Sequence, residues 1–464
     1  MNIKEITVPP FPSEKIHQSI VSVANAETYK KRIADALESA ESRYNTTHLV
    51  VYGDREHFAN IHYFTGYDPR FEEALLILSR EQEPVILVGN EGWSYSEIIP
   101  YPVKKVLFQS LSLAGQPRES NRTVLRKTIE QAGIGKNSVT GVIGVKYYVT
   151  EEAEDFEHTI DIPHFIVKAL EATDCSIVNV TDIMIHPGYG LRTCLDIDEM
   201  AVLELAGTKT SRSVYNVMTH LKPGISEVEA SAYLETDGNP LVAHPNLNFT
   251  PEGARRGLDS PGNHRLCYGS VFNIGFGYRS SMVARTALYA RNAGDIPAEW
   301  ADIMEKIYKP YFRVIVHWYE SIRIGITGKS ILAGIREQVP EYDRLGIGLN
   351  PGHLIHNDEW TSSIFTSAED YPVKNGMAIQ CDIIACPESY PGVHIEDGLI
   401  MADAETQRQF GEKYPESWKR IQTRRKLMQE HLNIQIGDEV LPLSDLQGCL
   451  SPWTVDPHSV LGVR

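Results

Sequence analysis

GMAIQCDIIACP (Gly376–Pro387) and GVHIEDGLIM (Gly392–Met401) each set a carboxylate inside an apolar run: Asp382 in the first and Glu396, fourteen residues on, in the second. Short runs of branched apolar residues bounded by glycine or proline predict strands. A carboxylate buried in such a strand needs a charged or hydrogen-bonding partner. Upstream, GHLIHNDEW (Gly352–Trp360) supplies His353, twenty-nine residues before Asp382. An imidazole changes charge near neutral pH and is a common metal ligand. His353, Asp382 and Glu396 are therefore candidates either for chemistry or for a buried hydrogen-bonded network kept for structure.

Working outward, YGSVFNIGFGYRSSMVARTALY (Tyr268–Tyr289) predicts glycine-rich strands, and a helix-rich stretch follows from Pro297 to about Arg336. DIDEMAVLELAGTKTSRSVYNVMTHLKPG (Asp196–Gly224) predicts a long helix capped by Asp196 or Asp198 and ended by Pro223-Gly224. Ser226 followed by Glu229 is a capping-box pattern. The apolar tail, VLPLSDLQGCLSPWTVDP (Val440–Pro457), is expected to pack back on the body. RRKLMQEH (Arg424–His431) reads as a solvated helix face. Nearer the N-terminus, helical spacing of Tyr29, Ile33, Ala36 and Leu37 predicts a helix over Ala26–Arg43. Apolar runs at His48–Asp54, Glu72–Arg80, Glu83–Asn90 and near residue 140 alternate with helical patterns, which predicts an α/β domain with a largely parallel or mixed sheet. IMIHPGYGLRT (Ile183–Thr193) reads as a linker. The expected organisation is an α/β domain over residues 1–185 and an α+β domain over residues 186–464.

A net charge of -17 argues against a nucleic-acid partner, because phosphate contacts need a basic face. The six cysteines have neither zinc-ligand spacing nor the density of a disulfide scaffold. Cys381 and Cys386, which flank Asp382, read as small buried apolar residues. MNIKEITVPPFPSEK (Met1–Lys15) lacks the apolar core of a signal peptide, and no stretch approaches a membrane span. A cytoplasmic location without membrane contact is the expectation.

Taken in order, these segments resemble the aminopeptidase P, prolidase and creatinase family. The resemblance runs from Tyr29 and Arg32 through HLVVYGDREHFANIHYFTGY (His48–Tyr67), LRTCLDIDEMAVLELAG (Leu191–Gly207) and LKPGISEVEA (Leu221–Ala230) to the two carboxylate strands. It implies a creatinase-like N-terminal α/β domain, a pita-bread α+β catalytic domain and a homodimer. The family's two-metal enzymes use Asp, Asp, His, Glu and Glu. Here the resemblance puts the first aspartate at Asn273 or Gly275 and the second at Met282, in a hairpin that reads as shortened. A thioether is a poor ligand for hard divalent cations. Asp382 also replaces a glutamate, Trp360 stands at a histidine position, and His356 at a glycine position.

Loss of both aspartates is also the pattern of creatinase, which implies metal-independent hydrolysis of a C–N bond in a small amide or amidino compound. On that reading His264 shuttles a proton, while His353, Asp382 and Glu396 orient substrate and water. His244, Arg285, His356 and Trp360 are expected to line the substrate site, and no metal or cofactor is assigned. His244 is the other upstream histidine that would serve as the shuttle. Two alternatives stand beside this: a metal-dependent Xaa-Pro aminopeptidase or dipeptidase with an altered site, and a pita-bread module that binds a peptide or small molecule without turnover.

Overall fold

The computed structural model describes residues 1–21, 24–118, 124–149, 154–366 and 369–464. The chain forms two compact units, Ser22–Arg192, and Met1–Val21 together with Thr193–Arg464.

In the first unit a six-stranded mixed sheet has the order Lys104–Leu107, Val85–Val88, Ala74–Ser79, His48–Gly53, Val139–Ile143, Ser176–Asn179. Side chains alternate between its faces. Leu49, Val51, Leu76 and Leu78 join one apolar cluster, while Val50, Tyr52, Leu75 and Ile77 join another. Burial on both sides explains why these strands read as unbroken apolar runs. The helix Ala26–Tyr44 buries Tyr29, Ile33, Ala36, Leu37 and Ala40, and Asn25 caps it by accepting from the Thr28 amide.

This unit does not end at residue 185. Leu191 and Arg192 donate backbone hydrogen bonds back to Ile183 and Met184, and Arg192 Nη1 donates to Asn60 Oδ1 at 2.8 Å. The proline and glycines of Ile183–Thr193 thus make a tight return rather than a free linker. The first 21 residues also depart from the sequence expectation. Ile3–Thr7 pairs antiparallel with Ser459–Val463, so the N-terminus folds with the C-terminal unit.

The larger unit is built on a seven-stranded antiparallel sheet. Its order is His353–Leu354, Ala378–Ala385, Val393–Met401, Val283–Tyr289, Ser270–Phe276, Asn246–Asn248, with Val440–Pro442 pairing on the far end of Val393–Met401. The helix Lys309–Ser321 braces the carboxylate strands. Its buried Tyr311 hydroxyl donates to Ile383 O and accepts from the Ile395 amide, at 2.6 and 2.7 Å. Both capping boxes form. Asp196, not Asp198, caps Ile197–His220 with Glu199, and Ser226 pairs with Glu229.

Arg424–His431 is not a solvated face. Arg424 and Arg425 are buried, because Arg424 sits between Glu204 of the long helix and Asp445 of the tail, at 2.7 Å from each. Arg420 and Arg212 complete the network. Burial pushes the Glu204 and Asp445 carboxyls up, but the guanidinium groups outweigh it and hold both below the usual range. Their stabilising contribution is therefore complete above about pH 4 and is lost as pH falls through that value towards the depressed native pKa. Arg424→Met should cost about 3 kcal/mol in urea unfolding at pH 7, since it leaves buried carboxylates short of a cation. The deficit should shrink at pH 3, and an equal loss at both values would refute the electrostatic account.

Candidate active site

Strand register fixes which side chains share a face. Asn246, Gly275, Ala284, Glu396 and Asp382 lie in one row across five strands. Asn248, Asn273, Thr286, His394 and Ile384 form the next row on the same face. Gln380 pairs with both Gly398 and His353, which brings the histidine to the same side. Three segments far apart in sequence thus converge at Glu396.

His353 is fully buried. Its Nδ1 donates to Leu354 O at 3.2 Å, so Nε2 is the atom that faces the carboxylates. Nε2 lies 3.0 Å from Glu359 Oε1, 3.8 Å from Glu396 Oε1 and 3.9 Å from Asp382 Oδ2, yet it is aligned for a hydrogen bond with none of them. The Trp360 ring stacks on the imidazole, with centroids 4.2 Å apart and planes 15° from parallel. His394 Nε2 donates to Asp382 Oδ1 at 2.6 Å. Gln380 Nε2 donates to Met282 O at 3.0 Å and to Glu396 Oε1 at 3.3 Å, tying the hairpin backbone to the central carboxylate.

The pocket is crowded with negative charge. Burial and the neighbouring Asp382 push the Glu396 carboxyl well above its usual range. Burial alone would lower the His353 pKa, but Glu359 beside it, with Glu396 and Asp382, raises it well above the ordinary histidine value. Glu359 is 30% exposed and Trp360 40% exposed, so these two mark the mouth of the pocket.

Of the residues chosen from sequence, His353, Asp382, Glu396 and Trp360 come together. His264 and His244 do not join them. Both are exposed; the His264 carbonyl accepts from the Glu227 amide, and His244 Nε2 bonds Ser260 Oγ at 2.8 Å. His356 is buried but points its Nε2 at Glu199, 3.2 Å away at the start of the long helix. Arg285 is a correction with a simple cause. It lies between Ala284 and Thr286, so it faces the opposite side of the sheet. There it is buried and donates to both oxygens of Asp397, to Glu396 O and to Leu446 O. It holds the backbone of the carboxylate strand from the face opposite Glu396.

Two site residues were missed. His394 was legible, because it lies two residues before Glu396 on a strand and must share its face. Glu359 lies outside any strand, where no periodicity marks it. At the hairpin positions where the resemblance puts the two metal aspartates stand Asn273 or Gly275, and Met282. Thr286 Oγ1 donates to Asn273 Oδ1 at 2.5 Å, and Met282 is buried against Gly275, where an added Cβ would lie 3.1 Å from its Cε. The family's two-metal ligand pattern does not fit this hairpin.

No protein-family model and no curated protein sequence matches the chain. Solved structures do. The prolidase of Thermococcus sibiricus aligns with a TM-score of 0.63 at 16% identity, over 82% of this chain and 95% of that one. The prolidase of Pyrococcus horikoshii gives 0.61 at 14%, over 80% and 95%. The X-Pro aminopeptidase of Thermotoga maritima gives 0.59 at 15%, over 80% and 95%. The chain has the fold of these prolidases and aminopeptidases.

Arg285→Met should lower stability by about 3 kcal/mol by stranding Asp397 in the core. A substrate-contacting arginine would instead raise KM and leave the urea midpoint unchanged, so the two measurements together decide its role.

Proposed function

We propose that this protein hydrolyses a C–N bond in a small peptide-like substrate, in the pocket formed by His353, Glu359, Asp382 and Glu396. The observation that carries this reading is the convergence of a buried imidazole and three carboxylates at the mouth-facing side of one sheet, in a chain with the fold of prolidases. Water adds across the bond: a C–O bond forms, the C–N bond breaks, and a proton passes to the leaving nitrogen. Glu396 and Glu359 hold and orient the attacking water. His353 faces the developing negative charge on the carbonyl or amidino carbon's substituent. Trp360 supplies an apolar wall at the entrance, which favours a compact substrate and limits access of bulk water.

A proton shuttle through His264 gains no support from the geometry, because that side chain is exposed and its loop pairs with Glu227. A prolidase-like peptide substrate is the better-supported class, since the solved structures with this fold named above are prolidases and an X-Pro aminopeptidase.

The test is a panel of Xaa-Pro dipeptides beside guanidino and simple amide compounds, with product detected by mass spectrometry. Glu396→Gln should lower kcat by about 10²-fold or more with the fold retained by circular dichroism. His264→Ala and His244→Ala should stay within about twofold of the parent, a smaller effect than loss of any general acid or base. Turnover abolished by His264→Ala would overturn this assignment of the site.

A further inference from the structure

Residues 11–20 have no regular structure and lie as a strap against the long helix Ile197–His220. Both ends of the strap are pinned. Phe11 is buried against the rings of Tyr215 and His458, with centroids 5.4 and 5.6 Å apart. Ile20 is buried, and its amide donates to Asn239 Oδ1 at 2.9 Å. Between the pins, two helix cations hold backbone carbonyls. Lys209 Nζ donates to Gln18 O at 2.8 Å, and Arg212 Nη1 donates to Glu14 O at 2.5 Å. A lysine and an arginine three positions apart share one side of a helix. Side chains do not fill the space behind the strap, and a cavity of about 340 Å³ remains, the lower end of the range for small-molecule sites. Its lining shares no residue with the pocket around Glu396.

The charges on the cavity wall do not cancel evenly. Its two carboxylates are both taken: Lys209 pairs with Asp237, and Lys15 with Glu235. Arg212 gives Nε to Asp445 at 2.8 Å and Nη1 to the strap, and its Nη2 has no acceptor among the described residues. Lys209 has a third N–H beyond its bonds to Asp237 and Gln18. Its side chain is 4% exposed, so a ligand in the cavity meets a largely desolvated cation, where a charge-assisted hydrogen bond is strong. What the wall has left to offer is therefore donors that carry positive charge.

We infer that this cavity is a second ligand site, which takes a small monocarboxylate with an apolar body, its carboxylate on Arg212 and Lys209. A guanidinium edge beside an ammonium suits either a carboxylate or a phosphate. Glu235 and Asp237 on the same wall repel a second negative charge, which decides for the single charge of a carboxylate. Ile16, Leu234 and Tyr278 line the rest of the cavity and call for an apolar body. The carboxylate belongs either to a simple organic acid or to an amino acid, whose ammonium group would meet Glu235 and Asp237. The site does not depend on the proposed hydrolysis.

The experiment titrates the full chain by calorimetry with 3-methylbutanoate, L-leucine, L-leucinamide and inorganic phosphate. 3-Methylbutanoate should bind at one equivalent with a Kd of about 1 mM or tighter. L-Leucinamide, which lacks the carboxylate, and phosphate should not bind. Tighter binding of L-leucine than of 3-methylbutanoate would identify an amino acid as the source, and weaker binding a simple organic acid; both support the site. Thr236 is exposed, uncharged and on the cavity wall, so Thr236→Trp should fill the cavity and abolish binding while the unliganded thermal midpoint stays unchanged. Arg212→Gln should weaken binding by more than about tenfold, the loss of a charge-assisted hydrogen bond. Saturating ligand should slow amide hydrogen exchange across residues 11–20. Glu396→Gln should bind as the parent does. Absence of binding by both 3-methylbutanoate and L-leucine, parental affinity in Thr236→Trp or Arg212→Gln, phosphate binding as tight as the carboxylate, or loss of binding in Glu396→Gln would each overturn the inference.

Discussion

The register between Ala378–Ala385 and Val393–Met401 is the constraint on which the pocket depends. Asp382 opposes Glu396, and Ala284 opposes Glu396 from the other side. Because side chains alternate with a period of two, a slip of one residue would turn Glu396 inward to the helix layer and present Asp397 in its place. The register is held from behind the sheet. Arg285 grips Asp397 and the Glu396 carbonyl, Tyr311 bridges the two strands, and the Gly448 amide of the tail donates to Asp397 at 3.0 Å. The back face is thus a fully paired ionic core, and the front face is where pairing is left incomplete.

That asymmetry has an energetic meaning. Asp397 is buried beside a matched guanidinium, whereas Glu396 is buried beside other carboxylates. Like charges brought together in a buried site oppose each other far more strongly than in water. A fold tolerates such a cost where the groups do chemistry and compensates elsewhere. The compensation here is visible in the Arg424 network and in the clamp of the N-terminal strand on the last one, both of which tie the ends of the larger unit together.

How much of this was legible depended on whether a residue belonged to a periodic element. Asp382, Glu396 and His353 stood out because their order and spacing resemble those of the family's last three ligands, with apolar strands flanking the two carboxylates. His394 carried the same period-two signal as Glu396. Glu359 carried none, since the strand at His353 is two residues long and the chain then turns irregularly. Long-range pairing was equally invisible. Nothing in Ile3–Thr7 names Ser459–Val463 as its partner, and nothing in Arg424 and Arg425 distinguishes a solvated run from one that meets Glu204 and Asp445. Likewise Pro187, Gly188 and Gly190 signal a turn, but only backbone bonds to Ile183 and Met184 show that it closes on the first unit.

The hairpin and the loop after His353 are best understood together. On the hairpin side, the row through Asn248, Asn273 and Thr286 carries neutral amides and a hydroxyl, and Gly275 and Ala284 leave the neighbouring row without bulk. On the other side stand every charged group of the pocket. Glu359 adds a carboxylate 3.0 Å from His353 Nε2, from the loop that follows the short His353–Leu354 strand. The hairpin side thus presents an uncharged hydrogen-bonding surface beside a charged one on the same face of the sheet.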